Sequence, residues 1–354
     1  MSERNFLKKG ILFTSMTCSI FAISGISHAE SNVNLYGIID AGITFVNNQQ
    51  GNVNYKMDSG VMQGNRWGLK GKEELTPEIS ALFNIEGGFN LDNGNFPSDN
   101  KLFGRIATAG LEYKGIGTIN FGRQVDYMDT MAGLYAISGN EYATTLTFRV
   151  HKRDRIDGQR LDNTIKLQSD KFAGLSGGVI LSLGEKAGDF GNNRALSAMI
   201  DYSGIPNFNT SAAYTRINKG LDKQNIFAGG MSYNFGFGKA NILATSSRDT
   251  SLSLSNPDRV NVYEIGYKHN VTPKLSVGIA YQYLDEKTKT KKSDDINNFA
   301  AAIDYAFSKR TDAYLTAIIG KAKGNAVLNV TGVAGEESDS NNQTAVRVGL
   351  RHKF

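Results

Sequence analysis

Cysteine is almost absent: Cys18 is the only one in 354 residues, and the chain has five prolines and one tryptophan. With no second cysteine there is no disulfide framework, so an exported chain of this size must be stable by other means. Past the N-terminus no run approaches the ~18 apolar residues of a membrane-spanning helix, and mean hydropathy is polar at -0.31. Histidine is scarce too. Beyond residue 29 there are His151, His269 and His352, far apart and in no metal-ligand spacing, so no metal or other cofactor is expected. A Walker-type phosphate loop is missing, and no serine or acid stands with a histidine in a recognisable catalytic constellation, so the chain does not read as an enzyme. These absences exclude helical membrane proteins but not strands, because a barrel strand needs an apolar residue only at every second position.

What is present begins with a leader. Arg4, Lys8 and Lys9 precede a mostly apolar stretch, Ile11 to Ile26, and Ser27-His28-Ala29 supplies the small residues a signal peptidase reads. Residues 1–29 are therefore expected to be a cleaved signal peptide and 30–354 the mature domain. Cys18 falls inside the leader, and its flank Ser15-Met16-Thr17 does not resemble a lipid-attachment site. Removing the leader takes three cations and one acid from a net charge of +5, leaving +3. That is too little over the mature length for a nucleic-acid footprint.

Alternation then runs through the whole mature chain. In NVNLYGIIDAGITFV, Val33, Leu35, Ile39, Ala41, Ile43 and Phe45 share one face while Asn34, Tyr36, Asp40 and Thr44 share the other. ISALFNIEGGF, LSVGIAYQYL and NFAAAIDYAF repeat the pattern. The chain closes on TAVRVGLRHKF, where Val346, Val348 and Leu350 alternate with Arg347, Gly349 and Arg351 before the terminal Phe354. Period-2 patterning marks a sheet with one apolar and one polar face. About sixteen such strands are legible between residues 33 and 354.

Links between the strands alternate in length. Short, turn-rich links (ELTPE, KGIG, SGIPN, NVTPK, SKRT) follow long ones that include 47–63, 126–160, 248–259, 285–297 and 323–343. This predicts an all-β fold: a 16-stranded antiparallel transmembrane β-barrel with short periplasmic turns and long extracellular loops. An open edge in lipid would leave backbone groups unsatisfied at several kcal/mol each, so the last strand must pair with the first. The apolar stripe of the closing strand then faces lipid, and Arg347, Arg351 and Lys353 face a wet interior.

VNLYGIIDAG, NRWGLKGKEEL, LFGRIATAGLEY, GTINFGRQ, RLDNTIKLQSDKFAGL, FSKRTDAYL and VGLRHKF, in that order, resemble the Gram-negative general porins of the neisserial and betaproteobacterial type. The likeness spans nearly the whole mature chain. It implies a homotrimer of barrels in the outer membrane, among lipid and lipopolysaccharide. Each barrel would be a passive pore for ions and small polar solutes, narrowed by a third loop folded inward, and Phe354 would belong to the signal read by the barrel-assembly machinery. It also places Arg66, Arg105, Arg160 and Glu86 at the pore constriction.

The residues themselves say part of this. Arg66 shares its face with Lys70 and Lys72, Glu86 stands opposite Ile85 in parity, and Arg160 shares parity with Asp162, Thr164 and Lys166. Arg105 conflicts with the pattern: strict alternation puts it on the lipid face with Ala107, Ala109 and Leu111, at ~2–4 kcal/mol for an arginine at the midplane. A bulge or a place at the strand's outer end resolves that. The link 126–160 is the expected inward loop. It brings Asp126, Asp129 and Glu141, then FRVHKRDR, which reads either as a lumen cation row or as a solvated loop meeting acidic surface sugars. Arginines stay charged at ordinary pH, so lumen cations predict an anion-leaning channel, with Lys70, Arg347 and Arg351 as further lumen charges. The alternatives are a substrate-specific channel on the same fold and a barrel acting as an adhesin.

Overall fold

A computed structural model describes residues 32–97, 101–136, 160–220, 222–249, 257–288, 293–324, 326–331 and 335–354. The leader, Glu141 and the FRVHKRDR run lie outside them. The described residues form seventeen β segments and one helix. The segments are β1 (Asn32–Gln49), β2 (Asn52–Ser59), β3 (Arg66–Glu74), β4 (Ile79–Gly88), β5 (Ile106–Tyr113), β6 (Gly117–Val125), β7 (Arg160–Ser169), β8 (Leu175–Ser182) and β9 (Ala195–Tyr202). They continue as β10 (Phe208–Lys219), β11 (Asp222–Asn234), β12 (Gly238–Asp249), β13 (Pro257–Asn270), β14 (Leu275–Thr288), β15 (Ser293–Ala306), β16 (Thr311–Lys323) and β17 (Asn342–Lys353). The helix α1 (Tyr127–Tyr135) lies between β6 and β7.

All neighbours in the sheet are antiparallel, and the sheet closes on itself. β17 pairs with β1, Lys353 opposite Ile38 and Ala345 opposite Val46. On its other side β1 pairs with β2 along Ala41–Gln49 and with β3 along Asn32–Ile38. β2 and β3 are thus two halves of one wall strand, interrupted at 60–65, and the barrel has sixteen strands. The expected long loop 47–63 is therefore mostly strand: Val53, Tyr55 and Met57 point outward while Lys56 and Asp58 point in. Its sequence, NVNYKMDS, alternates, but the break at 60–65 separates it from β3, so it reads as part of a loop.

The closing strand shows how the wall is built. Val348 and Leu350 are 60% and 53% exposed on the outside, while Arg347 and Arg351 are 3% and 6% exposed on the inside. Neither arginine is bare. Arg351 makes a forked contact with Asp312 at 3.0–3.1 Å, and Arg347 meets the Tyr314 hydroxyl at 2.8 Å and the carboxylates of Asp40 and Asp58 at 3.6 and 3.5 Å.

Phe354 seals the seam. Its backbone exchanges two hydrogen bonds with Gly37 of β1, at 3.0 and 3.1 Å. A Cβ on Gly37 would lie 2.3 Å from the Phe354 ring and 2.7 Å from the Arg66 carbonyl, so only glycine leaves the ring its seat. Gly37→Val is expected to destabilise the closed barrel by ~1–3 kcal/mol through overpacking. Gel-shift thermal denaturation should show a lower unfolding temperature and a reduced folded yield.

Two of the described segments pack against the inner wall. α1 buries Tyr127, Met128, Met131, Ala132 and Tyr135 against the inner faces of β8–β12, among them Ile180, Ile226 and Leu243. The second segment lies in the link 323–343, which reads from the sequence only as a long loop. Leu328 and Val330, between β16 and β17, bury against Val262, Leu284 and Ile318 of the inner wall, with Met62 from the 60–65 break beside them. Lys56 ties this segment to the wall through Glu336 at 2.5 Å.

Candidate functional site: the lumen constriction

β3 to β9 are short, 8–10 residues each, whereas β10 to β17 run to 12–14. The outer ends of β4, β5 and β7 therefore stop part-way up the barrel, β3 begins just below the 60–65 break, and their terminal side chains collect beside α1. Glu86, buried near the end of β4, accepts from Arg105 Nε at 2.6 Å, and the Tyr36 hydroxyl lies 2.9 Å from its other oxygen. Arg105 immediately precedes β5 instead of lying within it. Its backbone N–H donates to the Glu86 carbonyl. That position at the strand's outer end keeps the guanidinium off the lipid face.

Arg66 opens β3, its Nε donating to the Gly64 carbonyl at 2.8 Å. A methyl group on Gly64 would stand 3.2 Å from Nη1 of Arg105 and 3.9 Å from Nη2 of Arg66, so the two guanidiniums flank a glycine. Arg160 opens β7 and acts electrostatically on Arg105, Asp129 and Glu86. Its Nε is buried without a hydrogen-bond partner among the described residues. A subsidiary pair lies alongside, with Arg123 and Lys101 both on Asp162, at 2.5 and 2.9 Å.

Two acids come from α1, and they do different things. Asp126 is the N-cap. Its Oδ1 accepts from the backbone N–H groups of Met128 and Asp129, satisfying donors that a helix start leaves open. It is 1% exposed and does not reach the pore water. Asp129 is half-buried and faces the cations. Burial pushes its carboxyl above the usual range, and the guanidiniums of Arg160, Arg105 and Arg66 oppose that shift.

Lys70 lies lower on β3, its Nζ 5.3 Å from the Tyr36 ring centre. Arg347 and Arg351 stand apart from the cluster in wall ion pairs. Sequence reading had not picked out Arg123, because the β6–β7 register shifts between Gly122 and Gln124 and alternation breaks there. The φ of +123° at Gly122 was the available clue, through the glycine itself.

Among the described residues no group of His, Cys, Asp and Glu could hold a metal. The arrangement is a cluster of fixed charges of both signs, in which the guanidiniums of Arg66, Arg105 and Arg160 act on one another and on Glu86 and Asp129.

A family model described as Gram-negative porin matches residues 15–325. The chain belongs to the Gram-negative porin family. This porin is 28% identical over 405 aligned positions to an outer membrane porin protein of Bordetella pertussis, covering 98% of this chain and all of that one. To outer membrane porin protein 32 of Delftia acidovorans it is 27% identical, covering 95% and 98%. An anion-selective porin from Comamonas acidovorans has the same fold, with a TM-score of 0.80 at 24% identity, covering 92% of this porin and all of that chain. The porin is a passive diffusion channel of the outer membrane. Its short turns lie at one end of the barrel; at the other, two-residue links at 50–51 and 220–221 stand beside the long 324–341, and the expected long loop 285–297 shrinks to 289–292.

Proposed function

We propose that this channel favours small anions, and that Arg66, Arg105 and Arg160, opposed by Glu86 and Asp129, form its selecting constriction. The observation that carries this is the imbalance of pairing. Glu86 is bound to Arg105, while Arg66 and Arg160 have no carboxylate within ion-pair distance among the described residues. Asp129 sees all three cations but prefers its neutral form more than an exposed carboxylate does. Three guanidiniums against the two carboxylates leave an excess of positive charge at the passage, which concentrates anions and repels cations. The anion-selective porin that shares the fold supports the same sign. Passage is by diffusion, with no bond made or broken, so the channel carries no enzymatic step.

The same reading covers assembly. At ~3.3 Å per residue and a tilt of about 40°, eight residues rise ~20 Å, less than the ~25 Å apolar band. The low wall around β5, β8 and β9 therefore fits contact with neighbouring copies in a homotrimer better than contact with lipid. Residues 1–29 serve as the cleaved leader, and Phe354 as the element read by the assembly machinery.

Asp129 supplies a test with a definite sign. Its carboxyl titrates above the usual carboxylate range, so lowering pH through that range removes a negative charge from the constriction. Anion permeability relative to cation permeability is expected to rise as pH falls. Asp129→Asn should show the raised ratio already at neutral pH and a flattened pH response, read from zero-current potentials in a salt gradient. An Asp129→Asn channel with the wild-type pH profile would remove Asp129 from the site.

A further inference from the structure

The seven periplasmic turns are not alike. Four of them, 75–78, 114–116, 170–174 and 203–207, carry two acids and two bases between them, Glu78 and Asp170 against Lys114 and Lys171. The other three, 235–237, 271–274 and 307–310, carry Lys274, Lys309 and Arg310 and no acid. All three cations are exposed. Net positive charge at this rim is therefore concentrated on the tall half of the barrel, the side that fits lipid on the assembly reading above.

Aromatic rings gather under the same three turns. Phe235 stands 4.9 Å from Tyr233, 6.0 Å from Phe237 and 6.4 Å from Tyr267, and Tyr305 stands 5.3 Å from Phe307. Tyr233, Phe235, Phe237, Tyr305 and Phe307 are exposed on the outer surface. Aromatic girdles of barrels sit at the membrane–water interface, among lipid glycerol and headgroup atoms. The turns 271–274 and 307–310 are two strands apart, ~10 Å along the rim. A single headgroup can thus face cations from both turns. A neutral leaflet would gain from the rings but not from the one-sided charge.

We propose that the rim formed by turns 235–237, 271–274 and 307–310 is a binding surface for anionic phospholipid of the periplasmic leaflet. Lys274, Lys309 and Arg310 meet the phosphate and the rings beneath meet the glycerol and upper acyl carbons. The site is separate from the lumen constriction and does not rest on the selectivity reading.

The full-length mature porin, reconstituted in nanodiscs of equimolar phosphatidylglycerol and phosphatidylethanolamine and then extracted in mild detergent, provides the test. Native mass spectrometry is expected to find phosphatidylglycerol retained in preference to phosphatidylethanolamine, and the preference lost in high salt. A cation beside an anionic leaflet contributes on the order of fivefold in partitioning, so Lys274→Gln/Lys309→Gln/Arg310→Gln should lower the preference at least about tenfold. Lys114→Gln/Lys171→Gln, on the balanced turns, should leave it unchanged. Single-channel conductance of both variants should match the wild type, which certifies folding. Equal retention of the two lipids by the wild type, or the same loss in both variants, would overturn the proposal. So would binding to isolated peptidoglycan that disappears in the triple variant while its lipid preference survives, since the cations would then belong to the cell wall.

Discussion

Arg66→Glu should move the zero-current potential toward cations, changing the anion-to-cation permeability ratio by on the order of tenfold. The substitution changes the constriction charge by two. In a water-filled lumen each unit at about 5 Å acts on a passing ion with ~1 kcal/mol, and 1.4 kcal/mol is a factor of ten. Arg160→Glu should act in the same direction, whereas Arg66→Lys should retain most of the preference. The wall arginines provide the contrast. Arg351→Ala leaves Asp312 in a buried site without its forked partner and is expected to destabilise by about 3–5 kcal/mol. It should have little effect on selectivity. Selectivity measured by zero-current potential and stability measured by thermal gel shift therefore separate two kinds of inward arginine that look identical in an alternating strand. If Arg351→Ala shifted the potential as strongly as Arg66→Glu, selection would not be localised at the ends of the short strands.

The second large effect concerns pore calibre. α1 stays in the lumen because the inner wall leaves room for its tyrosines. A Cβ on Gly230 would lie 2.4 Å from Tyr135 Cγ, and one on Gly178 would lie 1.8 Å from the Tyr127 hydroxyl oxygen. The Tyr135 hydroxyl also lies 2.5 Å from Ser211, which donates to Asp201. Gly230→Leu is expected to unseat Tyr135 and with it the C-terminal half of α1. Because only a side chain occupies the space at Gly230, the wall itself should survive. Conductance should rise clearly above wild type, and Tyr135→Ala should raise it similarly. The double variant should add little to either, as expected when both changes act on one contact. Unchanged conductance in Gly230→Leu, with intact folding, would mean that α1 does not set the calibre. At Gly178 the clash includes the Leu167 carbonyl, so a substitution there should reduce folded yield as well.

Alternation carried the barrel, because a wall between lipid and water imposes opposite solvents on successive residues. The inward and outward assignment of Val348, Leu350, Arg347 and Arg351 follows from that alone. It fails where the wall is irregular. The break at 60–65 splits one strand into β2 and β3 and hides β2 in an apparent loop. Arg105 lies beyond the strand that its parity was counted on, and the shift at Gly122 conceals Arg123. Tertiary destinations were less legible still. Asp126 looks like any loop acid until α1 exists to be capped, and Leu328 and Val330 are apolar residues in a link whose partner wall is distant in sequence. Which arginines are paired was also hidden, since Asp312 reaches Arg351, and Asp40 and Asp58 reach Arg347, through cross-strand neighbours that parity alone does not identify.

The zero-current potential of the purified wild-type protein in a planar bilayer, under a potassium chloride gradient at neutral pH, tests the central claim most directly. A steady open conductance with the sign set by chloride is expected. A bilayer that stays closed would contradict the water-filled lumen, and a potential set by potassium would contradict the arginine constriction.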